Sequence, residues 1–251
     1  MTTPTLEERA AAKVVEHYVS HRGTGYLPNA VTEILLGRRS RLEHDKIQVE
    51  DLASYHMASP RVVQSAESIY LSNSFALGGA IVRNELTASL NDERCECTLN
   101  GLSVGSGDQL IDNHTTIDHA KPNCNSWEVY KSVLGGRSRG VFNGKIFVRM
   151  DAQKTDAKQT NKTLLLSDEA TVDTKPQLEI FADDVKCTHG ATVGQLDEEQ
   201  VFYLRTRGIG MEDARDILTF AFADEVVGHV SFEARREQLE RITHQRLDEG
   251  R

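Results

Sequence analysis

Cys187-Thr188-His189 carries the most chemically suggestive spacing in the chain. A thiol and an imidazole at i and i+2 point to one face if the segment is a strand. Thiolate and imidazole suit iron or zinc, but two donors cannot complete a four-coordinate site. Any metal held here must therefore be shared with another chain, shallowly bound or transient. The plain alternative is a buried cysteine beside a hydrogen-bonded histidine.

Three other stretches could do chemistry. His114, His119 and Cys124 are spaced by five residues, but His114 and His119 would face opposite sides of one continuous strand, which favours hydrogen-bonded ladders over a metal site. Cys95 and Cys97 would share a strand face, without further ligands nearby. Gly135-Gly-Arg-Ser-Arg-Gly140 is glycine-rich and basic, yet it lacks the lysine-hydroxyl pair of a nucleotide-binding loop. It reads as a turn. Asp112, Asp118 and Lys121 would be the groups to examine in a polysaccharide lyase or hydrolase, the competing function class, although aromatic residues are only 6% of the chain.

These groups sit in two kinds of sequence. From Ala12 to about Gly194, short period-2 runs broken by Gly, Asn, Asp or Pro predict many strands. Examples are the runs starting at Ala12, Val31, Arg41, Ala80, Cys95, His114, Val141 and Ala170, with a turn cluster at Gly23–Pro28. Asn125 to Leu134 reads as a weak helical interruption, and the Asp/Asn-rich Asp151–Asn161 as a corner. Such a span suits a sandwich, a barrel or a solenoid, and similar blocks at roughly 20–25 residue intervals lean toward the solenoid. Two units result, a β body over 1–196 and a helical subdomain over 197–251.

In the second unit, Asp197 caps a helix, with Gln200 completing a capping box and Gly208 closing it. Val201, Leu204 and Tyr203 are its inward candidates. A second helix is expected over Glu212–Val227, and a third from a Ser231 cap to about Leu247. The unit holds 13 acidic and 8 basic residues and needs a surface to pack on. One reading makes it a cover over the open end of a solenoid; another gives its outer face to a partner.

Composition narrows the function classes. A net charge of −9 and a pI near 5.5 argue against nucleic-acid binding. No apolar run reaches the ~18 residues of a membrane span, and Met1–Arg9 lacks the pattern of a signal peptide, so a soluble cytoplasmic protein is expected. Four irregularly spaced cysteines are no disulfide framework.

Two runs carry a family resemblance. Asp183-Asp-Val-Lys-Cys-Thr-His-Gly-Ala-Thr-Val-Gly194, followed by Phe202-Tyr-Leu-Arg-Thr-Arg-Gly208, resembles the C-terminal core of the SufB/SufD family, scaffold subunits of the SUF iron–sulfur cluster assembly machinery. The stretch His114–Pro122 adds to it, and the SufD branch fits better than SufB. The resemblance spans about Glu7–Leu247 and implies a right-handed parallel β-helix followed by a small C-terminal helical subdomain. It implies a non-catalytic subunit that pairs with a SufB-type partner and docks a SufC-type ABC ATPase through the helical subdomain. Tyr203, Arg205, Arg207 and Phe222 are the contributors to that docking.

The resemblance also implies that Cys187 and His189 lie at the SufB–SufD interface, where they would hold iron or a nascent cluster transiently. His189 is the stronger ligand. No tightly bound cofactor is expected, and a homodimer is a further expectation for the isolated chain. Family members usually carry an additional N-terminal helical region, which this sequence lacks.

Overall fold

In the computed structural model, residues 2–21, 23 and 25–249 are described. The chain winds back and forth between two seven-stranded parallel sheets. One sheet takes β1 (Thr5–Leu6), β3 (Asn29–Leu36), β5 (Tyr55–Gln64), β7 (Ile81–Leu90), β9 (Leu110–His119), β11 (Arg139–Val148) and β13 (Thr171–Ile180). The other takes β2 (Ala11–Tyr18), β4 (Arg41–Gln48), β6 (Ile69–Ala76), β8 (Glu96–Gly105), β10 (Asn125–Leu134), β12 (Asp156–Leu165) and β14 (Lys186–Gly194). This is a parallel β-solenoid. Tyr55 lies beside Ile81 and Arg139 beside Thr171, so one coil takes 26 to 32 residues, longer than the interval suggested by the sequence blocks.

Period-2 patterning fails where both strand faces are covered. The Asn125–Leu134 segment, expected to be helical, is strand β10. Its Ser126, Glu128, Tyr130 and Ser132 point inward, while Lys131 and Val133 are buried on the outer face beneath a helix. The expected corner at Asp151–Asn161 is shorter: it ends at Thr155, and Asp156 opens β12 with Ala157, Gln159, Asn161 and Thr163 buried. Polar residues on the inner face hid that strand.

One corner repeats on every coil. Arg39, Glu67, Arg94, Asn123 and Lys154 all have left-handed backbones, at φ between 57° and 64°. A non-glycine residue pays for that conformation. Here each N–H donates to a carbonyl of the following coil: Ala66, Glu93, Pro122, Gln153 and Asp184 respectively. Ion pairs among the side chains, such as Arg39–Glu67–Arg94, run along the same edge. Thus Arg, Glu and Lys fill this corner on most coils and Asn only at position 123, with Lys154 taking it inside the expected Asp151–Asn161 corner. Thr24, within the expected Gly23–Pro28 turn, lies outside the described residues.

Three helices follow, α1 (Glu198–Thr206), α2 (Met211–Val227) and α3 (Glu233–Glu249). Asp197 caps α1 by accepting from the Glu199 N–H, and Gly208, at φ 88°, follows its end. Val201 faces inward as expected, whereas Tyr203 is exposed. Ser231 is not the cap of α3. Its hydroxyl and backbone N–H both bind the Glu43 carboxylate on β4, tying the α2–α3 junction to the body.

The helices do not cover the end of the solenoid. They lie on its flank, where Ile47, Phe75, Leu102, Val104 and Val133 form an apolar outer stripe that packs against Ala223, Val226, Val227, Val230 and Leu239. Short helices gain stability from such a stripe, and a flank rich in Ile, Phe, Leu and Val needs the cover more than an edge does. Lys131 fastens the contact by donating to the Phe222 carbonyl at 2.9 Å and pairing with Glu225. Among the described residues no helix is long and apolar enough to cross a membrane.

Candidate cluster-handling site at the open coil

With the helices on the flank, the last coil stays uncovered. Among the described residues, β13 pairs only with β11, and β14 only with β12. Along β14, Cys187, His189, Ala191 and Val193 stand in register with the inward-facing Ala157, Gln159, Asn161 and Thr163 of β12. They continue the inner columns of the solenoid, but no further coil stacks on them. Their outermost position, rather than an outward orientation, is what exposes them.

The two candidate ligands differ. Cys187 is half-buried and packs against a small apolar cluster of Ile146, Val148, Ala152, Ala157 and Ala182. Burial pushes its thiol up, opposed by the Ala157 backbone, so the ligating thiolate is disfavoured until a cation arrives. His189 is exposed. Among the described residues no group of three or more His, Cys, Asp or Glu side chains is placed to hold a metal. The chain thus offers two donors on one face of an open edge strand, too few to complete a four-coordinate metal site.

The other sequence candidates are used within the fold. His114 lies 2.8 Å from Asp112, which also pairs with Arg83, on the outer face of β9. His119 is fully buried and shares a 2.9 Å hydrogen bond with Ser126. Cys95 and Cys124 occupy equivalent corner positions on consecutive coils and are both fully buried, with thiols donating to backbone carbonyls. Cys97 lies inside the solenoid in the same core cluster as Cys95, so the two share the inward face, buried among apolar side chains. Arg137 and Arg139 of the glycine-rich stretch pair with Asp108 and Asp173 of neighbouring coils.

Asp112 and Asp118 are six residues apart on one strand, about 20 Å at strand rise. Glycosidase acid pairs need separations below roughly 10 Å. Asp118 is moreover engaged bidentately by Arg149, at 3.0 and 2.7 Å. The lyase or hydrolase reading has no acid pair here.

Sequence similarity speaks to the same assembly. Residues 3–222 match the family profile described as SUF system FeS cluster assembly, SufBD core domain. The chain belongs to the SufBD core family. It is 40% identical over 245 residues to the iron–sulfur cluster assembly protein SufD of Escherichia coli, covering 98% of this chain and 58% of that protein. It is 37% identical to a SufBD family protein of Synechocystis, covering 82% of this chain and 45% of the relative. Against the chloroplastic protein ABCI7 of Arabidopsis thaliana identity is 35%, over 88% of this chain and 47% of the relative. The chain therefore spans about half the length of these relatives.

Of the four residues assigned to partner docking, Tyr203, Arg205 and Arg207 are exposed on α1 and just beyond it. Phe222 is half-buried, its ring 4.3 Å from the Lys131 ammonium, so it serves the contact between helix and body. The sequence reading passed over Phe202, the most exposed aromatic residue of α1, and the inner column beneath His189. Phe202 heads the run that carries the family resemblance, whereas the column has no sequence signature.

That inner column runs His189, Gln159, Glu128 across β14, β12 and β10. Glu128 is 1% exposed, and burial pushes its carboxyl up to about 7 against the opposing pull of Thr115 and Gln159. The ordinary value is 4.5. Between these two pH values the folded chain keeps a proton that the unfolded chain has lost, so stability falls as pH rises through that window and levels off above it. Glu128→Gln should match the wild type near pH 4 and exceed it by roughly 1–3 kcal/mol at pH 8. Urea unfolding at the two pH values checks this. A difference that does not grow between them would sink it.

Proposed function

We propose that this chain is a scaffold subunit of the SUF machinery. It pairs with a SufB-type subunit along its open last coil, while a SufC-type ABC ATPase docks on the helical unit. Iron or a nascent iron–sulfur cluster is cargo here, held in passing by His189 and Cys187 together with ligands of the partner. No resident cofactor and no catalytic residue are assigned to this chain. The carrying observation is a two-donor face on an uncovered edge strand, with no third ligand grouped with them among the described residues.

The edge supports the pairing. A final parallel strand leaves a row of backbone N–H and C=O groups free to add another strand, the arrangement that most invites association. A homodimer across the same edge is the expected state of the isolated chain. Incomplete ligation also suits release, because a fully coordinated metal leaves slowly. For the ATPase, Tyr203, Arg205 and Arg207 present an aromatic and cationic surface, to which Phe202, 67% exposed, adds apolar area.

The test is co-expression with SufB- and SufC-type partners, followed by isolation of the three-component complex and iron analysis. His189→Ala should leave the complex assembled and lower its iron content severalfold. Unchanged iron would remove His189 from the mechanism. Failure to capture either partner would overturn the scaffold reading itself.

A further inference from the structure

Three inward-facing side chains of β12 end in buried oxygens without a hydrogen-bond partner: Gln159 Oε1, Asn161 Oδ1 and Thr163 Oγ1. Gln159 and Asn161 are each 1% exposed. Buried acceptors left unpaired cost stability, so each calls for an explanation. Register separates them. Asn161 and Thr163 lie beside Ala191 and Val193, which have no donors, whereas Gln159 lies beside His189.

The Gln159 amide is held in place from below and from the side. Its Nε2 donates to Glu128 Oε2 at 2.6 Å. Across the interior, a Cβ on Gly144 would come within 2.2 Å of that nitrogen, so only glycine leaves room for the amide. With its N–H₂ end directed to the earlier coil, its carbonyl oxygen is the end left for the later one. The same sheet already shows this polarity: Asn100 donates to Asn73, and Asn73 to Asp45, each later coil donating to the earlier one at 2.8–2.9 Å.

We propose that Gln159 is a positioning residue for His189, its Oε1 accepting a ring N–H of the imidazole as the last step of a ladder from Glu128 through Gln159. The inference rests on the reading of His189 as a ligand and deepens it. Anchoring one ring nitrogen to a rigid buried amide fixes the tautomer and leaves the other nitrogen's lone pair facing the open edge. Metal-binding histidines generally need such a partner. Glu128 sets the amide's orientation by accepting from its nitrogen end.

The test reads the ring N–H directly, in ¹H–¹⁵N spectra of the ¹⁵N-histidine-labelled full chain at pH 8 and low temperature, with the His189 signal assigned through His189→Gln. An exposed imidazole N–H exchanges too fast to be seen, while one bound to a buried oxygen persists. The signal is expected in the wild type, in Gln159→Glu, which keeps an acceptor, and in Glu128→Gln, which keeps the ladder. It should vanish in Gln159→Met. Absence in the wild type, or persistence in Gln159→Met, overturns the proposal; should Gln159→Met fail to fold, the wild-type spectrum alone decides. Iron affinity of the assembled complex should drop roughly 10- to 100-fold in Gln159→Met. If the N–H behaves as expected but His189→Ala leaves iron unchanged, the ladder stands and the ligand role falls.

Discussion

Lys46→Met should destabilise the chain by about 1–3 kcal/mol, the cost of leaving a buried acceptor unsatisfied. Lys46 points into the first coils, 4% exposed, and donates to Asn84 Oδ1 at 2.6 Å. Asn84 in turn donates to Asn113, and Asn113 to Ser103. Burial pushes the lysine down, and the Glu16 and Glu50 carboxylates pull it back, leaving it at about 8 and so protonated at neutral pH. Around it, Glu16 accepts from Thr32 and Tyr18, and Glu50 lies 2.8 Å from His56. Methionine fits the space but strands the buried Asn84 oxygen, while both carboxylates keep their own hydrogen bonds, Glu50 from Tyr26 and Gln48 among them. Urea unfolding at pH 7 measures the loss. A change below about 1 kcal/mol would mean that the Asn84 oxygen finds another donor.

Under the proposed pairing, Ala191→Pro should weaken partner binding through the last coil while leaving the fold intact. Lys186 N–H donates to Thr155, the residue just before β12, and backbone groups alternate sides along a strand, so the Ala191 N–H points to the open edge. Proline there deletes an edge donor and blocks an incoming strand, a substitution edge strands tolerate. The dissociation constant for the SufB-type partner should rise at least about tenfold, some 1.4 kcal/mol. Thr192→Pro is the control. Its N–H points to β12, so it should lower the thermal midpoint instead. Unchanged partner affinity in Ala191→Pro, measured by titration, would show that the partner docks elsewhere.

The site was only partly legible in the sequence. Cys187 and His189 were visible as donors two apart on a strand, and the runs around them carried the family resemblance. Gln159 and Glu128 were not, because they lie 30 and 61 residues away and meet His189 only through coil register. Ser231 was misread as a cap because local sequence cannot show that Glu43, 188 residues earlier, competes for its hydroxyl.

By itself the sequence determined the elements whose patterning is local: alternating strands, a helix opened at Asp197, and an acidic helical unit after the β body. Alternation depends only on which face of a residue meets water, and capping only on near neighbours. The tertiary structure decided the rest. It made Asn125–Leu134 a strand, since covering both faces erases the alternation, and it placed the helices on the apolar flank instead of the end. That placement leaves β14 as an edge. Only stacking determines which coil is last, so only stacking could turn an inward-facing histidine into an exposed one.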